Sequence, residues 1–300
     1  MAFHLLKKIL GTKLTKAIRP IGHGIKAHLA AFKYNQPAKK LIIIGITGTK
    51  GKTSTVVMLG RLLNQIGLRA GYLSTAVINN TGNKSDEILN PYKMTSIDAV
   101  AMQKELTQMV VNNCKYLVIE LSSEGLLQNR HQGLFGIDIG VFLNIYPEHL
   151  ESHGSFDNYL KAKATLFRNV KNGGTIITND DPEMKENSDK MYNLLPFYKQ
   201  NNIKRIGVQR DLDYKIVNNP IDSKLSLYKS LEFEGNQYTT TCLASFEISN
   251  LFFALKVAQI INSNKLNQFL KNSTNSKPLN NLTHIPGRMD WVIKKGVVLN

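Results

Sequence analysis

The run Leu41-Ile-Ile-Ile-Gly-Ile-Thr-Gly-Thr-Lys-Gly-Lys-Thr-Ser-Thr55 constrains this chain more than any other stretch. An apolar segment, 41–44, enters a glycine-rich turn; Lys52-Thr53 follows, and then a helical pattern. Strand, tight turn and helix in that order aim consecutive backbone N–H groups and the positive end of a helix dipole at one point, which makes a cradle for phosphate. In that reading Gly48, Thr49, Lys50, Gly51, Lys52, Thr53 and Ser54 surround the phosphates. Lys52 adds a point charge at the β/γ-phosphates and the Thr53 hydroxyl reaches Mg²⁺. The spacing departs from the standard phosphate loop, which wants glycine where Ile46 stands; the glycines fall at Gly45, Gly48 and Gly51. The alternative is an ordinary turn holding a chance Gly-Lys-Thr, and the strand before it and helix after it argue for phosphate.

At 300 residues the chain has room for one large α/β domain, or one domain and a smaller piece. No apolar run approaches the ~20 residues that span a bilayer. Charge interrupts Phe3-His-Leu-Leu-Lys-Lys too early for the apolar core of a signal peptide. Cys114 and Cys242 stand far apart in apolar contexts and read as buried free thiols of a reducing, cytoplasmic compartment. The net charge of +16 is unevenly placed: no Asp or Glu precedes Asp86. Before that point Lys or Arg stands at 7, 8, 13, 16, 19, 26, 33, 39, 40, 50, 52, 61, 69 and 84, which is +14 and leaves +2 for the rest. Such asymmetry marks an anionic partner: a nucleotide, lipid headgroups or nucleic acid. Few aromatics interleave with these cations, which argues against nucleic acid.

Residues 1–40 form a basic leader in which Leu5, Leu6, Ile9, Leu10, Leu14, Ala17, Ile18 and Ile21 recur at helical spacing, interrupted by Gly11 and Pro20. Two readings stand side by side. The helix lies in an anionic membrane surface, at the inner face, or it packs on the main domain or on a partner. From Leu41 onward strand patterns (41–46, 69–73, 116–121, 138–144, 174–178) alternate with helical ones (52–66, 97–113, 155–170, 247–262). That alternation predicts an α/β fold: a mostly parallel, P-loop-type sheet with helices on both faces. Ser96 is the expected N-cap of the helix that begins near it. Residues 203–243 read as a small antiparallel β insertion, and 262–282 as a surface linker or capping helix.

Ligand sites in such sheets lie beyond the carboxyl ends of the strands. Glu120 ends one strand, where a hard Mg²⁺ ion finds an oxygen ligand beside a phosphate cradle; a lysine-paired carboxylate is the alternative. Ser122 and Ser123 suit a helix cap, a ligand contact, or both. Another strand ends at Asn144 and leads into Glu148-His149-Leu-Glu-Ser-His153. The histidine spacing lacks the further ligands of a zinc site, and Mg²⁺ prefers oxygen, so spacing alone does not make His149 a metal ligand. Lys163, on the helix 155–170, reads by itself as a solvated lysine.

The segments Gly45-Ile-Thr-Gly-Thr-Lys-Gly-Lys-Thr-Ser54, Glu120-Leu-Ser-Ser-Glu-Gly-Leu-Leu-Gln-Asn-Arg130, Phe142-Leu-Asn144 with Glu148-His149-Leu150, Tyr159-Leu-Lys-Ala-Lys163, Asn179-Asp-Asp181, Ser249-Asn250 and Pro286-Gly-Arg-Met-Asp290 occur in this order. Together they resemble the Mur ligase family, above all its branch that forms the muramoyl tripeptide, over about residues 41–291. The resemblance implies an ATP-dependent amide ligase of peptidoglycan precursor synthesis, which activates a UDP-muramoyl dipeptide as an acyl phosphate and joins an amino acid to it. It implies two Mg²⁺ ions held by Thr53, Glu120, His149 and a carbamylated Lys163, with Lys52, His149 and Lys163 as the catalytic set. It places Asn179, Asn250 and Arg288 at the nucleotide, and Thr95, Ser96, Ser122 and Arg130 at the muramoyl-peptide substrate.

The departures matter. Lys50 stands where the family has Asn, and Glu124 where the tripeptide-forming branch has His. The leader occupies the place of a UDP-binding domain. The central ATP-binding domain is expected over 41–290, and 291–300 as the start of an amino-acid-binding domain. The chain is thereby expected to be a fragment, a truncated reading frame or half of a split enzyme whose partner chain supplies that domain. An ATP-binding switch or assembly protein without ligase activity, and a folate or poly-glutamate ligase, are the rival functions.

Overall fold

The computed structural model describes residues 2–148, 150–209, 214–217, 229–240, 244–271, 279–287, 292–294 and 297–299. Its helices are α1 (Ala2–Lys33), α2 (Lys52–Gln65), α3 (Ala99–Val111), α4 (Ser123–Leu127), α5 (Leu150–His153), α6 (Phe156–Arg168), α7 (Pro182–Asn193), α8 (Phe197–Gln200), α9 (Ser245–Lys271) and α10 (Asn280–Thr283). The strands are β1 (Ile42–Thr47), β2 (Ala70–Leu73), β3 (Val77–Asn79), β4 (Ile88–Leu89), β5 (Tyr116–Glu120), β6 (Ile137–Phe142), β7 (Val170–Asn179), β8 (Lys204–Val208), β9 (Tyr214–Val217), β10 (Lys229–Phe233), β11 (Asn236–Thr240), β12 (Val292–Lys294) and β13 (Val297–Leu299).

Eight strands form one sheet in the order β4-β3-β2-β5-β1-β6-β7-β8. It is parallel from β2 to β8, and β3 and β4 extend it antiparallel at one edge. β1 sits centrally and explains why the fold forms. Its side chains alternate between two apolar layers: Ile44 and Ile46 pack with Val56, Leu59 and Phe252 on one face, Ile43 with Leu106, Leu166 and Phe167 on the other. A strand buried on both faces needs helices on both, and α2 with α9 supplies one cover, α3 with α6 the other. Gly60 lets α2 come close to the sheet: a Cβ there would stand 2.3 Å from the Tyr72 ring. Further along α2, Arg61 is buried; it donates to both carboxylate oxygens of Glu87 and to the carbonyls of Leu282 (3.0 Å) and His284 (2.6 Å).

Several expectations are corrected. α1 runs through Gly11 and Pro20 as one helix; a proline inside a helix removes one backbone bond, and here that loss does not end the helix. Asp98, not Ser96, caps α3, because its carboxylate accepts from Val100 N while the Ser96 hydroxyl is paired with that of Ser122. The antiparallel insertion begins later than 203: β8 joins the main sheet beside β7, and β9, β10 and β11 form the separate small sheet. α9 reaches Lys271, bending at Asn262, whose side chain accepts from Lys265 N and so starts the second segment. Residues 297–299 pair with 292–294 as a hairpin. Among the described residues Cys114 is a buried free thiol, and Cys242 lies outside them.

Candidate active site

β1, β5 and β6 end side by side, with Ile46 opposite Glu120 and Thr47 opposite Phe142. The segments that follow therefore meet at the carboxyl edge of the sheet, where ligands of such folds bind. The turn 48–51 closes with Gly51 at φ 80°, the left-handed region; a Cβ there would stand 2.1 Å from Asn250 Oδ1, so glycine serves both the turn and the approach of α9. Asn144 clasps the turn. Its Oδ1 accepts from Thr49 N (3.0 Å) and Lys50 N (2.9 Å), and its Nδ2 donates to the Lys50 carbonyl (3.2 Å). The Thr49 hydroxyl accepts from Tyr146 N and is bonded to the Tyr159 hydroxyl at 3.1 Å. Lys52 folds back so that Nζ donates to the Thr49 carbonyl (3.0 Å). Helix starts carry N–H groups without an acceptor inside the helix, and α2 starts here.

Glu120 is buried, with 3% of its surface exposed. Its Oε2 accepts from the Thr53 hydroxyl (2.8 Å) and from both the backbone N and the hydroxyl of Thr75 (2.9 Å each). The Thr75 hydroxyl also bonds that of Thr95 at 2.7 Å, and Ser96 bonds Ser122 at 2.9 Å, so a line of hydroxyls leads away from Glu120.

Lys163 lies behind the turn, 1% exposed. Its Nζ donates to the Gly48 carbonyl (2.7 Å) and sits 4.4 Å from the centre of the Tyr159 ring. Burial, and then repulsion from Lys52, hold its ammonium pKa well below the ordinary lysine range, against the pull of Glu148. Burial of this kind favours the neutral amine, the form that adds to CO₂.

Two clefts open on this edge. One, of about 790 Å³, is lined by Thr49 to Ser54, Asn144, Phe246, Ser249, Asn250 and Thr283. The other is lined by Thr75, Thr95, Ser96, Ser122, Glu124, Arg130 and His153. Lys52 and Glu120 line both. Gly48 lies at the turn but is not among the lining residues of either. Asn179 also lines neither; its Nδ2 donates to the Leu143 carbonyl (2.7 Å) and its Oδ1 accepts from Asp181 N (3.0 Å). Lys50 reaches out to Glu148 at 3.1 Å. His149 and Arg288 lie outside the described residues. Among the described residues no three His, Cys, Asp or Glu side chains gather as a metal cage. The donor pair Thr53–Glu120 still suits a hard divalent cation that takes its other oxygens from phosphate or water.

Sequence reading passed over Thr75 and the clasp made by Asn144. Both follow strand ends, Thr75 after β2 and Asn144 after β6, so the carboxyl-end rule was the signal that pointed to them.

The profile of a family described as "Mur ligase middle domain" matches residues 46–258. The chain is 34% identical over 240 residues to a UDP-N-acetylmuramyl-tripeptide synthetase of Borrelia garinii subsp. bavariensis, covering 77% of this chain and 44% of that protein. It is 30% identical over 243 residues to a UDP-N-acetylmuramoyl-L-alanyl-D-glutamate--2,6-diaminopimelate ligase of Chlamydia muridarum, covering 79% and 47%. A solved structure of a ligase with that same description superposes with a TM-score of 0.65 at 25% identity, covering 90% of this chain and 53% of that one. The chain thus spans about half the length of the relatives it matches.

Proposed function

The chain belongs to the Mur ligase family, and from that premise we propose that it is the ATP-binding centre, over residues 41–290, of an acid–amino-acid ligase of peptidoglycan precursor synthesis. The observation that carries this reading is the sharing of Lys52 and Glu120 by two clefts. A ligase that transfers the γ-phosphoryl of ATP to a carboxylate must bring two anions together, and the junction of the clefts is where that occurs. The substrate carboxylate takes the phosphoryl group and ADP departs; the amine of the incoming amino acid then displaces phosphate from the acyl carbon.

Each residue has a part in this scheme. The turn 48–54 and the start of α2 cradle the phosphates. Lys52 exchanges its bond to the Thr49 carbonyl for the phosphate oxygens, placing a cation where charge gathers in transfer. Asn250 and Ser249 border the nucleotide cleft, with Arg288 assigned there by the family motif. Thr95, Ser96, Ser122 and Arg130 border the cleft for the UDP-muramoyl peptide. Thr53 and Glu120 would hold Mg²⁺, and His149 with a carbamylated Lys163 a second ion; when bound, such ions neutralise phosphate charge. Asn179 has a structural part in this reading, fixing the end of β7. A cytoplasmic location and a partner chain bearing the amino-acid-binding domain belong to the same reading.

The test is phosphate release from ATP with and without the UDP-muramoyl dipeptide, using the native chain and Lys52→Ala. Release that depends on the dipeptide and disappears in Lys52→Ala with unchanged circular dichroism is the expected result. Release indifferent to the dipeptide would favour the switch reading, and full turnover in Lys52→Ala would remove the site assignment.

A further inference from the structure

α1 is packed mainly along one side, and toward its C-terminal end the His28 and Phe32 rings also meet Phe135 edge-on, at 5.6 and 6.2 Å. Ala27, Ala30 and Ala31 are buried, and the helix lies on α3 and on the turn 132–134, with Lys26 paired to Asp98. At 3.6 residues per turn the opposite side carries Ile18, Ile21, Ile25, Leu29 and Phe32. These five are between 43% and 65% exposed. Scattered exposed apolar residues need no explanation, whereas a continuous row marks a surface that something covers.

Charge selects the occupant. α1 carries Lys7, Lys8, Lys13, Lys16, Arg19, Lys26 and Lys33 and no acidic residue. Two copies of α1 laid row to row would bring these cations together with no acidic residue of α1 between them, which opposes self-pairing. An anionic bilayer meets both features at once: the apolar row sinks to the level where headgroups meet acyl chains, and the flanking lysines extend to lipid phosphates. Among the described residues no helix is long and apolar enough to cross a membrane, so the helix would lie along the surface. We propose that α1 is a membrane-surface helix whose row Ile18–Phe32 enters an anionic bilayer, with its alanine face holding the ligase domain against that surface.

The experiment is co-sedimentation of the full chain with vesicles of phosphatidylglycerol mixed into phosphatidylcholine, and with phosphatidylcholine alone. The native chain is expected to sediment with the anionic vesicles and to be released by high salt. The double substitution Ile21→Asp with Ile25→Asp, at exposed positions that leave circular dichroism unchanged, is expected to weaken binding at least about tenfold. As a second readout, Phe32→Trp in a Trp291→Phe background should shift its emission to the blue on anionic vesicles. Binding that survives the double substitution would mean attraction by charge alone and would overturn the proposal. So would a native chain that stays in the supernatant, including one whose self-association the double substitution abolishes, which would make the row a contact between copies.

Discussion

The Thr53 hydroxyl donates to Glu120 Oε2 across 2.8 Å, joining the first turn of α2 to the end of β5. Thr75 adds two more donors to the same oxygen. Glu120→Gln keeps the shape of the side chain and removes its charge, so the fold should persist while ATP turnover falls about 100-fold, the scale seen when one preorganised charge is lost. Phosphate release titrated against Mg²⁺, beside a thermal melt, measures both; unchanged turnover would detach Glu120 from the chemistry.

Asn144→Ala deprives the turn of its clasp. The side-chain acceptor for Thr49 N and Lys50 N disappears; Thr49 N keeps the Asn144 backbone carbonyl (3.0 Å), whereas Lys50 N loses its acceptor, and an interior N–H left without one costs about 1–3 kcal/mol. Water reaches this edge and softens the loss, so we expect about 2 kcal/mol less unfolding free energy and weaker binding of a non-hydrolysable ATP analogue. Urea melts and calorimetric titration provide the two numbers. An analogue bound as tightly as by the native chain would rule out the clasp as a preorganising element.

Lys163 should make stability rise with pH. Its folded pKa is depressed, so between that value and 10.5 the unfolded chain binds a proton that the folded chain does not. Stability therefore increases across this window and is reduced below it. Lys163→Met, melted in bicarbonate-free buffer, should flatten the rise and raise the melting temperature at neutral pH. A slope identical in both proteins would contradict the buried neutral amine. Lys163→Ala should lose ligase activity and regain part of it with added short carboxylates, which replace the carbamate oxygens; full activity without them would eliminate the carbamate.

His131 is a second pH-dependent group. Burial, and then the charge of Arg130, lower its pKa from 6.5 to about 4. Below pH 6.5 the unfolded chain takes up a proton that the folded chain refuses until about pH 4, so stability present above 6.5 is lost as the pH falls through that interval. The loss amounts to about 3 kcal/mol at most, and His131→Gln should abolish it. Chemical denaturation at pH 7 and pH 4.5 compares the two proteins; equal losses would exclude His131 as the source.

The central layer was legible because an uninterrupted apolar run, β1, and a helical repeat, α2, stand on either side of the glycine turn, and local pattern is what a sequence displays. Position along the chain also exposed Glu120, which ends a strand. The cap of α3 was misassigned because Ser96 and Asp98 are both good caps, and only the pairing of Ser96 with Ser122, from a distant segment, decides between them. Lys163 on spacing alone looked like a solvated lysine; its burial comes from α6 folding over the turn, a tertiary fact. The edge strands β3 and β4 are too short for a period of two to stand out.

The guanidinium of Arg61 makes α2 a shared axle. One end of that helix opens at the phosphate turn, and farther along Arg61 grips the carbonyls of Leu282 and His284 and the carboxylate of Glu87. A displacement of 282–284 would therefore bear directly on the helix that carries Lys52 in its first turn.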